Sequence, residues 1–354
     1  MSGRPLPMSH RLITLIIAGA AVLIGLVIAS ITSVPYVALM PGPTLNTLGK
    51  PYGQPLIQIS GRRTYPTTGN LNMVTVSYTG GPGTSFNIFN AISAWLTPDD
   101  AVVPESEIFT PGQSQQAVVQ QDTQEMVGSQ QDATAAALCY LNIPYQTIDK
   151  VYATAKGYPA YGVVQAGDTI TAVDGTAVGC DHSVVTMIQD RKPGARVTLT
   201  ISRNGVTKNV TLTTKDVSGV PVVGVKIDPP SYVFPFHVKI NIPGIGGPSA
   251  GMMFALGIID KLTRDDLTGG KFIAGTGEIE PTAGGGAVEP IGGIQQKMAG
   301  ARAAGATIFL TPAANCVNTV GAVPSGLRLV KVSTLAGAVA DLEAIKAGRP
   351  VPSC

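Results

Sequence analysis

Charge is what this sequence has least of. Its 354 residues carry 24 Lys or Arg and 22 Asp or Glu, 13% of the chain, against about 25% in an average soluble protein. With a net charge of +2 and no long basic run, it has no electrostatic footprint for nucleic acid. Histidine is nearly missing. His10, His182 and His237 are the whole set, and no HExxH or zinc-spaced Cys/His cluster occurs, so no catalytic metal and no cofactor is expected. There is no GxxxxGK run followed by Ser or Thr. Gly269-Gly270-Lys271-Phe272 has neither the spacing nor the hydroxyl, so ATP is not an expected partner.

Mean hydropathy is nevertheless +0.26, and part of the excess is local. No charged side chain occurs between Leu12 and Gly49, and residues 12–31 are almost all Leu, Ile, Val, Ala and Gly. About 20 such residues cross a bilayer as a helix. A signal-peptide core is shorter, about 7 to 15 residues, so a retained anchor over residues 12–34 is expected, although residues 29–33 resemble a cleavage site. Arg4 and Arg11 precede the span and Lys50 is the first basic residue after it. That bias keeps residues 1–11 in the cytoplasm and puts everything after Pro35 outside it, in a single-pass protein of the cell membrane. The four cysteines, Cys139, Cys180, Cys316 and Cys354, make no CxxC pair. They allow three complete pairings, or none if they are buried thiols.

Glycine and proline, 42 and 27 of them, divide the rest. Residues 35–55 read as a Pro/Gly-rich linker leaving the membrane. Residues 71–78 alternate as a strand, 85–96 read as a helix capped by Ser85, and 104–112 read as a loop. Residues 114–141 form a Gln- and Ala-rich helical stretch, with a break expected at Gly128 and only its second half in the core. From Val151 the texture changes to short β-rich runs, 163–173 and 195–212. Turns punctuate them at Gly167-Asp168, Asp174-Gly175, Pro193-Gly194 and Asn204-Gly205, with a helical segment near 183–189. This pattern over residues 150–215 resembles a PDZ domain of the bacterial protease-associated type, which implies an exposed strand edge able to add an extended peptide. Residues 158–164 mark the neighbourhood of its carboxylate-binding loop.

The chemistry concentrates in Gly246-Gly247-Pro248-Ser249-Ala250-Gly251. As GxSxG it would be the nucleophile elbow of an α/β-hydrolase, which needs an acid and then a His later in the chain. No histidine follows Ser249, so that reading fails. The base left to consider is a lysine desolvated enough to lose its proton near neutral pH. Lys297 follows the glycine turn at 292–293 on an expected helix whose apolar stripe is Ile294, Met298, Ala301 and Gly305. With Gly300 and Ala304 it forms the adjacent row, bordering the core. Gln295, Gln296 and Arg302 project elsewhere and are expected in solvent.

These residues resemble the Lon-type serine/lysine peptidases, and more closely the membrane-anchored, PDZ-containing, Lon-like proteins of bacteria. The likeness rests on Gly247-Pro248-Ser249-Ala250-Gly251, Ala274-Gly275-Thr276-Gly277-Glu278-Ile279, Val288-Glu289-Pro290-Ile291-Gly292-Gly293 with Lys297, and Phe309-Leu310-Thr311-Pro312-Ala313-Ala314-Asn315-Cys316. It implies an α+β protein with Ser249 as nucleophile and Lys297 as general base. Thr276 would orient the lysine, and backbone N–H groups of Gly247, Ser249 and Ala250 are candidates for the oxyanion site. The glycine-rich turn at 280–286 is longer than that pattern. The partition that follows is 1–11, anchor 12–34, linker and first peptidase segment 35–149, PDZ-like module 150–215, peptidase domain 216–346 and tail 347–354. With residues 70–77 and 124–138 read as earlier parts of the peptidase domain, the module is an insert. The implied activity is ATP-independent cleavage of flexible or misfolded protein segments outside the cytoplasm, a quality-control role. A homo-oligomer is left open. The alternative is a catalytically silent PDZ scaffold or assembly factor at the membrane.

Overall fold

In the computed structural model, residues 10–180, 182–282 and 285–354 are described. The expectations for Arg4 and the rest of residues 1–9, and the centre of the 280–286 turn, lie outside them. The apolar run becomes helix α1 (His10–Ile31), with every side chain open to the surroundings or nearly so. Its 22 residues rise about 33 Å, close to the hydrocarbon thickness of a bilayer. Strands β1 (Tyr36–Asn46), β2 (Ile57–Ser60) and β3 (Asn70–Gly80) follow. Then come α2 (Ile88–Leu96), β4 (Ala101–Pro104), α3 (Glu105–Ile108) and α4 (Gln115–Tyr140).

The chain divides into two units. The first, residues 1–43 and 76–121, holds α1, α2, β4 and α3. Within it β1 pairs antiparallel with β4 from Tyr36 to Leu39. Small clusters of Ala38, Phe86, Ala91 and Ala94, and of Val37, Phe109 and Val118, form its cores. Within the expected linker of residues 35–55, Tyr36–Asn46 is therefore a strand. Pro41 and Pro43 misled the reading because proline cannot donate to a ladder, but both lie past the residues that pair with β4. Helix α2 is capped by Asn87, not Ser85: Asn87 Oδ1 accepts from the Asn90 N–H and Asn90 Oδ1 from the Asn87 N–H, so two end N–H groups are satisfied at once. The expected loop at 104–112 contains the single turn α3.

The second unit, residues 44–75 and 122–354, contains three hydrophobic cores. One belongs to an inserted module made of β5 (Gln146–Thr154), β6 (Thr169–Val173), β7 (Thr176–Ala177), α5 (Val184–Gln189), β8 (Arg196–Arg203) and β9 (Val206–Thr213). It continues through β10 (Lys215–Val217), β11 (Val220–Val222), β12 (Val225–Ile227) and β13 (Ser231–Val233). The main sheet order is β12-β5-β6-β8-β9, and β13 also pairs with β5. The module thus runs past residue 215, because β5 is long enough to take β12 along Val151–Thr154 and β13 along Gln146–Ile148. Asp168, 1% exposed, is paired with Arg203 Nε at 2.7 Å and also accepts from the Gln165 N–H. That pair holds its carboxyl below the usual range.

The other two belong to a body built from both sides of this insert; the smaller holds Val74, Ala274, Ile294, Met298 and Phe309. Leu56, Leu71, Met73, Met126 and Ala133 pack in one cluster with Met252, Phe254, Ile279, Leu310 and Val332. Its later elements are β14 (His237–Ile240), α6 (Gly251–Leu262), β15 (Phe272–Gly275), β16 (Glu278–Glu280) and β17 (Ala287–Glu289). They are followed by α7 (Ile294–Ala303), β18 (Ile308–Pro312), β19 (Arg328–Val332) and α8 (Leu335–Lys346). Strand β15 lies between β3 and β18, and β19 follows β18, all parallel. Helix α4 does not break at Gly128. Its polar first half is mostly exposed, while residues 133–139 are buried. Disulfides join Cys139 to Cys180 and Cys316 to Cys354, one of the three pairings, so the thiol alternative falls. The first ties the end of α4 to the inserted module.

Candidate functional site

Ser249 sits in the turn that opens α6, one residue before the N-cap Ala250. The turn lies tightly on α4. Gly247 N–H donates to the Asp122 carbonyl at 3.0 Å, and Ser129 Oγ donates to the Pro248 carbonyl at 2.8 Å. A Cβ at Gly246 would come within 2.5 Å of the Asp122 side chain, and one at Gly251 within 2.8 Å of Ile279. The glycines of the motif are therefore spacing devices that let two helices and a strand meet at the serine.

The Thr276 region receives the other side of this turn. The chain leaves the parallel sheet after Gly275 and enters the β16–β17 ribbon at Glu278. The two strands are separate because Thr276 and Gly277 turn to bond Ser249. The Ser249 carbonyl accepts from Gly277 N–H at 2.8 Å and from Thr276 Oγ1 at 2.9 Å.

Lys297 lies in the first turn of α7, after Gly293 takes the left-handed conformation (φ 64°) that a side chain would strain. Asn315 clamps that entry by exchanging two hydrogen bonds with the backbone of Ile291, each 2.9 Å. The lysine is 3% exposed, and its Nζ meets Thr276 Oγ1 at 3.2 Å. Burial, with no neighbouring charge contributing, lowers the amine from its ordinary 10.5 to about 7. The positive end of the α7 dipole acts in the same direction. Thr276 thus touches both partners of the expected pair: its hydroxyl donates to the serine's carbonyl and accepts from the lysine. Among the described residues, no hydrogen bond runs from Lys297 to the Ser249 hydroxyl, and Ser249 is half-buried.

Two expectations need correcting here. Gly247 N–H is already committed to Asp122, so it is not free for an oxyanion. Ser249 and Ala250 make no backbone N–H bond among the described residues. Gln296 is buried, 6% exposed: at 100° per residue it stands in one row with the buried Gly300, so the covered face of α7 is wider than its apolar stripe. Gln295 does point outward, reaching the Asn318 carbonyl at 3.0 Å. Ser129 and Asn315 were not singled out from the sequence, because a lone polar residue that holds a distant loop has no local signature.

Acidic groups gather on the same side. Burial raises Asp132 to about 6, against the lowering effect of the Tyr232 hydroxyl that donates to it at 2.9 Å. Burial and then the charges of Glu125, Glu289 and Glu280 raise Glu278. No group of three or more His, Cys, Asp or Glu side chains suited to a metal occurs among the described residues.

In the inserted module, the segment at residues 158–164 is tied to the chain that leads into β12. Ala160 N–H donates to the Val223 carbonyl at 2.9 Å, and Ala155 N–H to that of Gly224 at 2.8 Å, so this segment supports the turn that leads into β12. By sheet order β12 is an edge strand.

Residues 145–214 match the family model described as PDZ domain. Solved structures similar to this part of the chain include the PDZ domain of an SdrC-like protein from Listeria monocytogenes, 25% identical. That match covers 22% of this chain and 85% of the other, with a TM-score of 0.21. The corresponding PDZ domain from Listeria innocua is 23% identical over 23% and 92%, with a TM-score of 0.22. A solution structure from Geobacillus thermodenitrificans is 28% identical over 20% and 83%, with a TM-score of 0.19. No curated protein matches the chain. Residues 145–214 are a PDZ domain, carried by a chain whose N-terminal helix is long and apolar enough to cross a membrane.

Proposed function

We propose that the protein is an ATP-independent, membrane-anchored serine endopeptidase with Ser249 as nucleophile and Lys297 as general base. The observation that carries this reading is a fully buried lysine with its amine lowered to about 7, joined through one threonine hydroxyl to the backbone of a half-buried serine in a glycine turn. Neutral Lys297 takes the proton of Ser249, and the freed oxygen attacks a peptide carbonyl. The tetrahedral oxyanion lies against the N–H groups of Ser249 and Ala250 at the start of α6. As the C–N bond breaks, the lysine returns the proton to the leaving amine, and the same base then activates water to hydrolyse the acyl-enzyme. The α1 span, with its N-terminal end on the cytoplasmic side, puts this body outside the cytoplasm. The PDZ edge at β12 adds a flexible protein segment as an extra strand.

A second reading, a catalytically silent PDZ scaffold at the membrane, is favoured by the family match, which covers the PDZ module. The test is to compare the parent, Ser249→Ala and Lys297→Ala, each full length in detergent, on a labelled unfolded protein from pH about 7 to about 9. Cleavage that rises with pH in the parent and drops at least about a thousandfold in both variants is the expected result. Equal behaviour of all three chains would leave the scaffold.

A further inference from the structure

Helix α2 carries its amphipathicity inside out. Its small residues Ala91 and Ala94 face the core of its own unit. Its large ones face away: Trp95 is 76% exposed, Leu96 69%, Ile92 47%, Phe89 42% and Ile88 40%. At 100° per residue these five fill an arc of about 120° opposite the alanines. The sequence Ile-Phe-Asn-Ala-Ile-Ser-Ala-Trp-Leu contains no charged side chain. Soluble surfaces seldom gather large apolar groups in this way.

The surroundings of the helix say what covers that face. Asn87, its N-cap, donates from Nδ2 to the carbonyl of Ser30 at 2.8 Å, one residue before α1 ends. Asn87 also forms a bridge with Ser33, and Val34 N–H donates to the Phe86 carbonyl at 2.7 Å. The start of α2 is therefore fastened to the end of the membrane-length helix, where a span of this length reaches the boundary between hydrocarbon and headgroups. Tryptophan is the side chain most at home at that depth, with an apolar ring and one N–H for the headgroup layer. We infer that α2 is a second, interfacial membrane element, lying in the outer boundary of the bilayer with Ile88, Phe89, Ile92, Trp95 and Leu96 immersed. The occupant of the exposed face is lipid, and because α2 carries no charge, immersion needs neither anionic headgroups nor low salt. The two membrane contacts together fix the orientation of this unit against the bilayer, which a single flexible anchor does not do.

Trp95 is the one tryptophan of the chain, so its emission reports this helix alone. The full chain is placed in phosphatidylcholine vesicles whose lipids are brominated either near the headgroup or near the methyl end of the acyl chain. Trp95 is expected to emit to the blue, to be quenched most by the shallow bromines, and to resist iodide in the water at low and high salt alike. Phe89→Ser combined with Ile92→Ser, both exposed and so neutral to folding, should lower the ratio of immersed to free helix about a hundredfold or more. Emission of a water-exposed indole, quenched by iodide and indifferent to bromine, would overturn the inference. So would shielding from iodide without any quenching by bromine, which would mean that a second copy covers the face. Resistance of the chain to alkaline extraction reads the α1 anchor separately. Release by that wash would remove the anchor, and the inference with it.

Discussion

Replacing Lys297 by methionine keeps the length of the side chain and removes the charge. The free energy at stake follows from burial: a fall of the amine from 10.5 to about 7 corresponds, at about 1.36 kcal/mol per pH unit, to about 5 kcal/mol. The unfolded chain keeps its proton up to 10.5, whereas the folded one releases it near 7. Between those values the unfolded state holds the extra proton, so the stability of the parent rises with pH. The penalty is complete below about 7 and gone above about 10.5. At neutral pH about 4 kcal/mol of it remains, and losing the bond to Thr276 returns about 1 kcal/mol. Lys297→Met should therefore unfold at higher urea than the parent at pH about 7, by about 3 kcal/mol. The gap should shrink with rising pH, close near about pH 10 and reverse slightly above it. Urea titrations of the full chain in detergent, followed by circular dichroism across that range, give both curves. A difference that is the same at every pH would mean that the lysine is solvated in the folded protein, and the argument for a neutral base would collapse.

Thr276→Val keeps the shape and removes the hydroxyl between Lys297 and Ser249. Cleavage should fall about tenfold to a hundredfold, with the midpoint of its pH profile displaced, and Thr276→Ser should restore both. Reducing the Cys139–Cys180 bridge, whose cysteines are 41 residues apart, should cost about 4 kcal/mol of stability, read as a lower urea midpoint. Arg203→Met leaves the carboxylate of Asp168, 1% exposed, without its charged partner. A loss of about 3 kcal/mol is expected at neutral pH. Because Asp168 titrates below the usual carboxylate range, the loss should close only in strong acid, as the pH falls through that lowered value. Thermal unfolding of the two chains at a series of pH values checks it.

What could be read in the sequence was what depends on neighbours along the chain. The α1 run, the short helix near 183–189 and the turn dipeptides around β8 and β9 are local, and all were legible. The family resemblance pointed to Ser249, Thr276 and Lys297, and the Thr276 hydroxyl joins the Ser249 carbonyl to the lysine amine. The misreadings have long-range causes. Pro41 and Pro43 looked like a linker because only the partner strand determines whether a missing N–H matters. Gln296 looked solvated because polarity is visible and the row it shares with Gly300 was not weighed. The PDZ match ends at residue 214, one short of the boundary read in the sequence. That β12 and β13 join the same sheet was not legible, because Gly224, Pro229 and Pro230 punctuate the chain while the β5 ladder that recruits both strands lies about 75 residues earlier. The cysteine pairing was undetermined for the same reason, since connectivity is set by the fold and not by spacing.

The Cys139–Cys180 bridge also bears on how damage to this chain would be seen. It encloses β5, the segment at 158–164 and β6, including exposed Tyr152 and Tyr161. A peptide bond cut once anywhere in that stretch leaves two pieces that are still one molecule. The PDZ domain would stay attached, the break would run as a single band without reductant, and only a reduced sample would reveal it. A single nick in this ring leaves its pieces joined until the bridge is reduced, whereas a cut beyond Cys180 and before Phe234 leaves no covalent link between the two sides of the insert.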